Sequence, residues 1–151
     1  MRSAQDWLDA YGESHQNPVN KTIHWVCIPW IMISLLGLLG SIPSPFANPW
    51  LNWGTGLIAV AIVYYAMLSI PLAIGMAVVG SVMLGIAMGI AHLPMPLWLS
   101  SLIIFVVAWI GQFIGHKIEG KKPSFFKDVQ FLLIGPAWLL SKVYRKAGQR
   151  F

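Results

Sequence analysis

The chain has 151 residues with ten Lys and Arg against five Asp and Glu, a formal net charge of +5, and every one of these charges lies before Thr22 or after His116. A soluble domain carries about a quarter charged residues, so an uncharged run of this length excludes a water-exposed globular fold and fits four bilayer spans of about 20 residues each. The positive balance sits wholly at the ends and reads as contact with anionic headgroups, not nucleic acid. The expected architecture is all-α: a polytopic membrane protein forming a single domain over residues 1–151.

In chain order, residues 3–16 predict a short amphipathic helix. Ser3 and Asp6 are spaced for a reciprocal cap, and Trp7, Leu8 and Tyr11 give one apolar face. Such a helix lies at the membrane interface with Trp7 and Tyr11 at headgroup depth, and Asn17-Pro18 ends it. These first residues lack the apolar core of a cleavable signal peptide. The first span is expected at 22–42, with Asn20 as its N-cap and Pro29 as a kink. A proline-rich loop with Trp50 and Trp53 as interfacial anchors leads to spans at 53–69, 72–91 and 97–116. Ser81, Gly85 and Gly89, and later Gly111 and Gly115, recur at a spacing that lets helices approach closely. Segment 125–144 has too short an apolar core to span and is interrupted by Gly135-Pro136. It reads as a re-entrant or interfacial helix. Four spans put all Lys and Arg on one side, as the positive-inside rule asks, with both termini cytoplasmic.

This topology sorts the histidines. His15, His24 and His116 fall at one membrane surface, whereas His92 lies in an opposite loop. Nine residues separate His15 from His24, opposite faces of a straight helix, but the Asn17-Pro18 bend can fold His15 back over the start of the first span. Gln112, His116 and Glu119 follow at i, i+4 and i+7 on one stripe, so Glu119 can be a ligand or fix the His116 tautomer. Two or three His with a carboxylate and open positions is the ligand set of non-haem Fe(II) oxygenases, and His-rich sets also suit zinc. A lone interfacial His is more often a hydrogen-bonded structural residue, so spacing leaves both readings open. Cys27, one turn after His24, reads as a small core residue. Three histidines on one side support a single metal at most, and none lies mid-span to ligate haem.

The run Tyr11-x3-His15-x-Asn17-x2-Asn20-x3-His24-x4-Pro29, with the later Trp109-x2-Gln112-Phe113-Ile114-Gly115-His116-x2-Glu119-x3-Pro123, closely resembles the Mpo1-like family over essentially the whole chain. Cys27 stands where the family usually has glycine, and Ser124 where it has alanine. The resemblance implies an Fe(II)-dependent dioxygenase that uses O2 to shorten 2-hydroxy fatty acids by one carbon, as in α-oxidation. The yeast member works in the endoplasmic reticulum on phytosphingosine breakdown. It also implies His15, His24 and His116 as ligands of a single iron, with Glu119 a weaker fourth. Tyr11, Asn17, Asn20 and Gln112 are then supporting or substrate-orienting groups. Lys117, Lys121 and Lys122 either steer the substrate carboxylate or contact headgroups. The expected location is a bacterial inner membrane, or the endoplasmic reticulum in a eukaryote, with membrane lipid as surroundings. The competing reading is a non-catalytic protein, either a metal-stabilised scaffold or a small-solute carrier. A carrier places ionisable groups near the midplane, and these spans offer only Ser, Thr and aromatic groups there.

Overall fold

Small polar residues and prolines punctuate the chain, and the helices of the computed structural model, which describes residues 2–150, begin and end at them. Ser3 opens α1 (Ala4–Gly12) with the expected reciprocal cap. Its hydroxyl accepts from the Asp6 amide at 3.2 Å, and the Asp6 carboxylate accepts from the Ser3 amide at 3.0 Å. The next helix, α2 (Pro18–Gly40), starts earlier than its hydropathy suggests. Asn17, and not Asn20, is its N-cap, accepting from Val19 N at 2.9 Å, and Pro18 fills a first-turn position where its missing N–H is no loss. Pro29 stays inside this helix.

Asn52 caps α3 (Trp53–Leu68), and the single residue Ser69, in extended conformation, both ends α3 and caps α4 (Ile70–Ile90). α5 (Leu97–Glu119) stops at Gly120, whose φ of 73° places it in the left-handed region that glycine enters without steric cost. A short 3-10 turn at Ser124–Phe126 precedes α6 (Phe131–Lys146). The described residues thus form six α-helices with no strand.

Three helices, α2, α4 and α5, are long and apolar enough to cross a membrane. Helix α3 occupies the expected 53–69 region but has only 16 residues, about 24 Å of rise against a hydrocarbon core of about 30 Å. Large apolar side chains point outward along α3 (Val60, Val63, Met67), α4 (Ile74, Val78, Val82) and α5 (Val106, Val107, Ile110). A surface so apolar needs lipid or protein to cover it.

One end of the bundle is closed by the two terminal helices. The Tyr65 hydroxyl donates to the Leu133 carbonyl and the Tyr144 hydroxyl to the Pro71 carbonyl, each at 2.7 Å, fixing α6 against α3 and α4. Helix α1 then packs on α6, with Trp7 edge-on to Phe131 at 5.2 Å and Tyr11 tilted against Trp138 at 5.5 Å. Trp7 and Tyr11 are therefore buried in protein and do not sit open to headgroups. The amphipathic face is where the sequence puts it, but α6 supplies its partner. Segment 125–144 resolves into the 3-10 turn and α6, whose buried stripe of Ile134, Ala137, Trp138 and Ser141 faces the bundle.

The seam between α2 and α5 depends on small residues. A Cβ added at Gly111 would lie 2.6 Å from Cys27 Sγ, and one at Gly115 would strike the Asn20 side chain. Gly85 and Gly89, expected to do the same on α4, meet nothing, and the Ser81 hydroxyl merely bonds back to the Ala77 carbonyl. Their spacing matches a packing motif, but the face they share has no helix against it. Gly111→Val and Gly115→Val are thus expected to cost about 1–3 kcal/mol by overpacking, lowering the melting temperature in detergent by several degrees. Gly85→Ala and Gly89→Ala are expected to leave it unchanged or slightly raised. Equal losses at all four positions would contradict this seam.

Candidate metal centre

The three histidines predicted to share a surface come from three separate elements. His15 sits in the bend between α1 and α2, His24 lies one turn after Asn20 on α2, and His116 stands in the last turn of α5. All are buried, with relative exposures of 1%, 1% and 5%, and their ligating atoms lie within 4.8 Å of one another. The rings stand nearly perpendicular in every pair, at interplanar angles of 79°, 78° and 87°. The nitrogens converge as well, His24 Nε2 lying 3.1 Å from His116 Nε2.

Hydrogen bonding fixes two tautomers. His15 Nδ1 lies 2.6 Å from the Tyr11 carbonyl and His24 Nδ1 lies 2.9 Å from the Asn20 carbonyl. A carbonyl only accepts, so both Nδ1 atoms carry the proton and both Nε2 atoms keep a lone pair. His15 Nε2 is buried without a partner, and His24 Nε2 faces His116 Nε2 at 3.1 Å. His116 Nδ1 is buried without a hydrogen-bond partner as well. A buried lone pair without a donor is costly, and a divalent cation where the Nε2 atoms of the three rings meet would take their lone pairs together. Carbonyl-oriented imidazoles are also the usual outer support of a metal-binding histidine. The donor set fits one metal ion.

His15 is held most firmly. Its ring stacks on Tyr11 at 4.1 Å and 13°, and Trp138 of α6 covers it at 5.4 Å. Burial, reinforced by the neighbouring His24, pushes its pKa down to about 3, so the ring is neutral at physiological pH. Ser14 Oγ and Ser124 Oγ, 2.5 Å apart, link this bend to the 3-10 turn.

The other expected site residues surround the cluster without joining it. Glu119 lies outside the histidine group. Its Oε1 accepts from Gln16 N at 2.9 Å, and its Oε2 accepts from Asn17 N at 2.8 Å and from Asn20 Nδ2 at 3.0 Å. It acts as a clamp, pinning the His15 bend and the first turn of α2 to the end of α5. Asn17 spends its side chain on capping α2, while Asn20 lends its carbonyl to His24 and its amide to Glu119. Cys27 packs toward Gly111, and His92 is exposed at the far end. Lys121 donates to the Glu13 carbonyl at 2.6 Å, tying down the bend.

A cavity of about 340 Å³ runs from His24 and His116 into the bundle between α2, α3 and α5, within the usual range for small-molecule sites. Ile28, Met32, Leu57, Ile62 and Phe105 make its walls mainly apolar, and Gln112 and Trp109 line it one and two turns from His116. Sequence reading missed Trp138 and the Ser14–Ser124 link, since nothing in the pattern says that α6 folds back over His15.

The clamp assignment predicts that Glu119→Ala leaves three amide donors unpaired and lowers stability by about 1–3 kcal/mol. Glu119→Gln, which keeps one acceptor, should lose less. Thermal unfolding in detergent measures both, and an unchanged Glu119→Ala midpoint would contradict the clamp.

No curated protein and no solved structure matches this chain. A family model described as "2-hydroxy-palmitic acid dioxygenase Mpo1-like" does, over residues 1–147. With nearly the whole chain matched, and with both histidine-bearing motifs folded onto one centre, the chain belongs to the Mpo1-like family.

Proposed function

We propose that the protein is a non-haem dioxygenase that holds a single Fe(II) on His15, His24 and His116 and shortens 2-hydroxy fatty acids by one carbon. The observation that carries this reading is the convergence of three buried imidazoles at one end of an apolar cavity. A bound Fe(II) supplies the redox chemistry that couples O2 to cleavage of the bond between C1 and C2 of the substrate. The chain supplies the rest. Tyr11 and Asn20, through their carbonyls, keep the Nε2 atoms of His15 and His24 unprotonated and aimed inward. The cavity takes the acyl chain and keeps water from the reacting end. Three neutral ligands, with no bonded carboxylate, leave the centre its full positive charge and positions for an anionic head. Zinc also suits three imidazoles, but it cannot perform the electron transfer that the family's named activity requires.

The reading includes four membrane spans, with α3 as a short fourth, and both termini cytoplasmic. The start of α2, the α3–α4 reversal, the end of α5 and both terminal helices share one end of the bundle. Every Lys and Arg lies in the terminal segments gathered at that end, in line with the positive-inside rule. Short α3 then needs local bilayer thinning or its polar flanks to complete the crossing.

Metal analysis of the purified protein is expected to find about one iron per chain. His15→Ala, His24→Ala and His116→Ala should each lose most of it and reduce 2-hydroxypalmitate turnover by about 100-fold or more. Variants that keep full metal and turnover would overturn the ligand assignment, and a loaded protein that consumes no O2 would favour the scaffold. Reporter fusions should place both termini in the cytoplasm; opposite sides would separate His15 from His116 and sink the topology.

A further inference from the structure

Two residues that line the cavity each carry a polar atom with no partner in the protein. Gln112 is only 5% exposed, yet its Oε1 makes no hydrogen bond. Trp109 Nε1, three residues earlier on the same face of α5, is buried and unpartnered as well. Both residues line the cavity that reaches His24 and His116. Along the helix, Gln112 stands about 6 Å and Trp109 about 10.5 Å from His116, before their long side chains reach back or forward.

Neither residue is a metal ligand, and neither serves the fold by hydrogen bonding. Leu or Met at 112 and Phe at 109 would fill the same space without leaving a polar atom unpaired in an apolar surrounding. Buried polar atoms without partners are rare in folded proteins, and those that persist in a binding cavity are paired by what binds there. The two atoms are chemically opposite: a carbonyl-type acceptor on Gln112 and a pure donor on Trp109. An unsubstituted fatty acid has no donor to offer the first once its carboxyl group is ionised. A 2-hydroxy acid offers both, because its hydroxyl hydrogen can go to Gln112 Oε1 and its hydroxyl oxygen can accept from Trp109 Nε1–H.

We infer that Gln112 and Trp109 are specificity-determining residues, a donor–acceptor pair that reads the hydroxy-acid head and rejects the fatty acid lacking the hydroxyl. This rests on the reading of the cavity as the substrate site, though not on the identity of the metal. A site built to bond a hydroxyl discriminates strongly against the analogue without it, because its own polar atom is then left buried and unpaired.

The test compares the affinities of 2-hydroxypalmitate and palmitate on the full-length protein in nanodiscs, as a ratio in which membrane partitioning largely cancels, with metal content measured alongside. Wild type should prefer the hydroxy acid by about tenfold or more. Gln112→Leu should bring the ratio near one while palmitate binding holds or improves, and Trp109→Phe, which keeps the ring and deletes the N–H, should reduce it partway. Both variants should retain wild-type metal. If Gln112→Leu fails to fold, Trp109→Phe and Gln112→Met carry the same comparison. A wild-type ratio near one, or a ratio unchanged in the variants, overturns the inference. Failure of the metal reading would show instead as absent iron with the ratio and its response to these variants intact.

Discussion

A bend between two helices leaves backbone amides that neither helix satisfies, so it keeps one geometry only where the protein supplies acceptors for them. In this chain the critical bend is the one between α1 and α2, and the Glu119 carboxylate supplies them. Its two oxygens take the Gln16 and Asn17 amides and the Asn20 side chain, and so tie the beginning of α2 to the end of α5. His15 lies just before those amides, His24 one turn beyond Asn20, and His116 one turn before Glu119. Each histidine is thus placed by the same anchor. The flush contact of Gly111 and Gly115 with α2 extends that placement along the seam. Loosening the clamp would let His15 swing out with its bend, leaving a pair of histidines in place of a trio.

The second constraint comes from the far side of the cluster. Helix α6 folds back and lays Trp138 over His15, while α1 spends its apolar face on α6. A helix that would otherwise float at the membrane surface contributes Tyr11 to the lining of the cavity beside the histidines. That enclosure keeps the His15 imidazole neutral, the protonation state a metal ligand needs. Most of the charged residues at this end keep their heads on the outside of the bundle.

Much of this was legible in the sequence, for physical reasons that can be named. The absence of charge between Thr22 and His116 marks the apolar helical class, and the histidines expected at one surface do meet there. The Ser3–Asp6 cap, the glycines at 111 and 115 and the Gln112–His116 stripe were also readable, because each depends on local spacing. What was not legible depends on partners distant in the chain. Asn17 takes the capping role over Asn20 because Pro18 fits a first helical turn and because Glu119, about a hundred residues away, needs the Asn20 amide. Glu119 looks like a ligand on its stripe, but hydrogen bonds to backbone amides across the seam claim both oxygens. Gly85 and Gly89 repeat a packing motif on a face that no helix of the chain covers. The short length of α3 was hidden because hydropathy reads an apolar stretch, not where its helix breaks.

On the proposed reading, the activity depends on what surrounds the metal. X-ray absorption at the iron edge of the purified protein reports that directly. It should show a single iron with three imidazole ligands, the remaining shell made of light oxygen atoms, and no sulfur from Cys27. A spectrum with fewer than three imidazoles, with a sulfur neighbour, or with a second iron nearby would contradict the centre described for His15, His24 and His116.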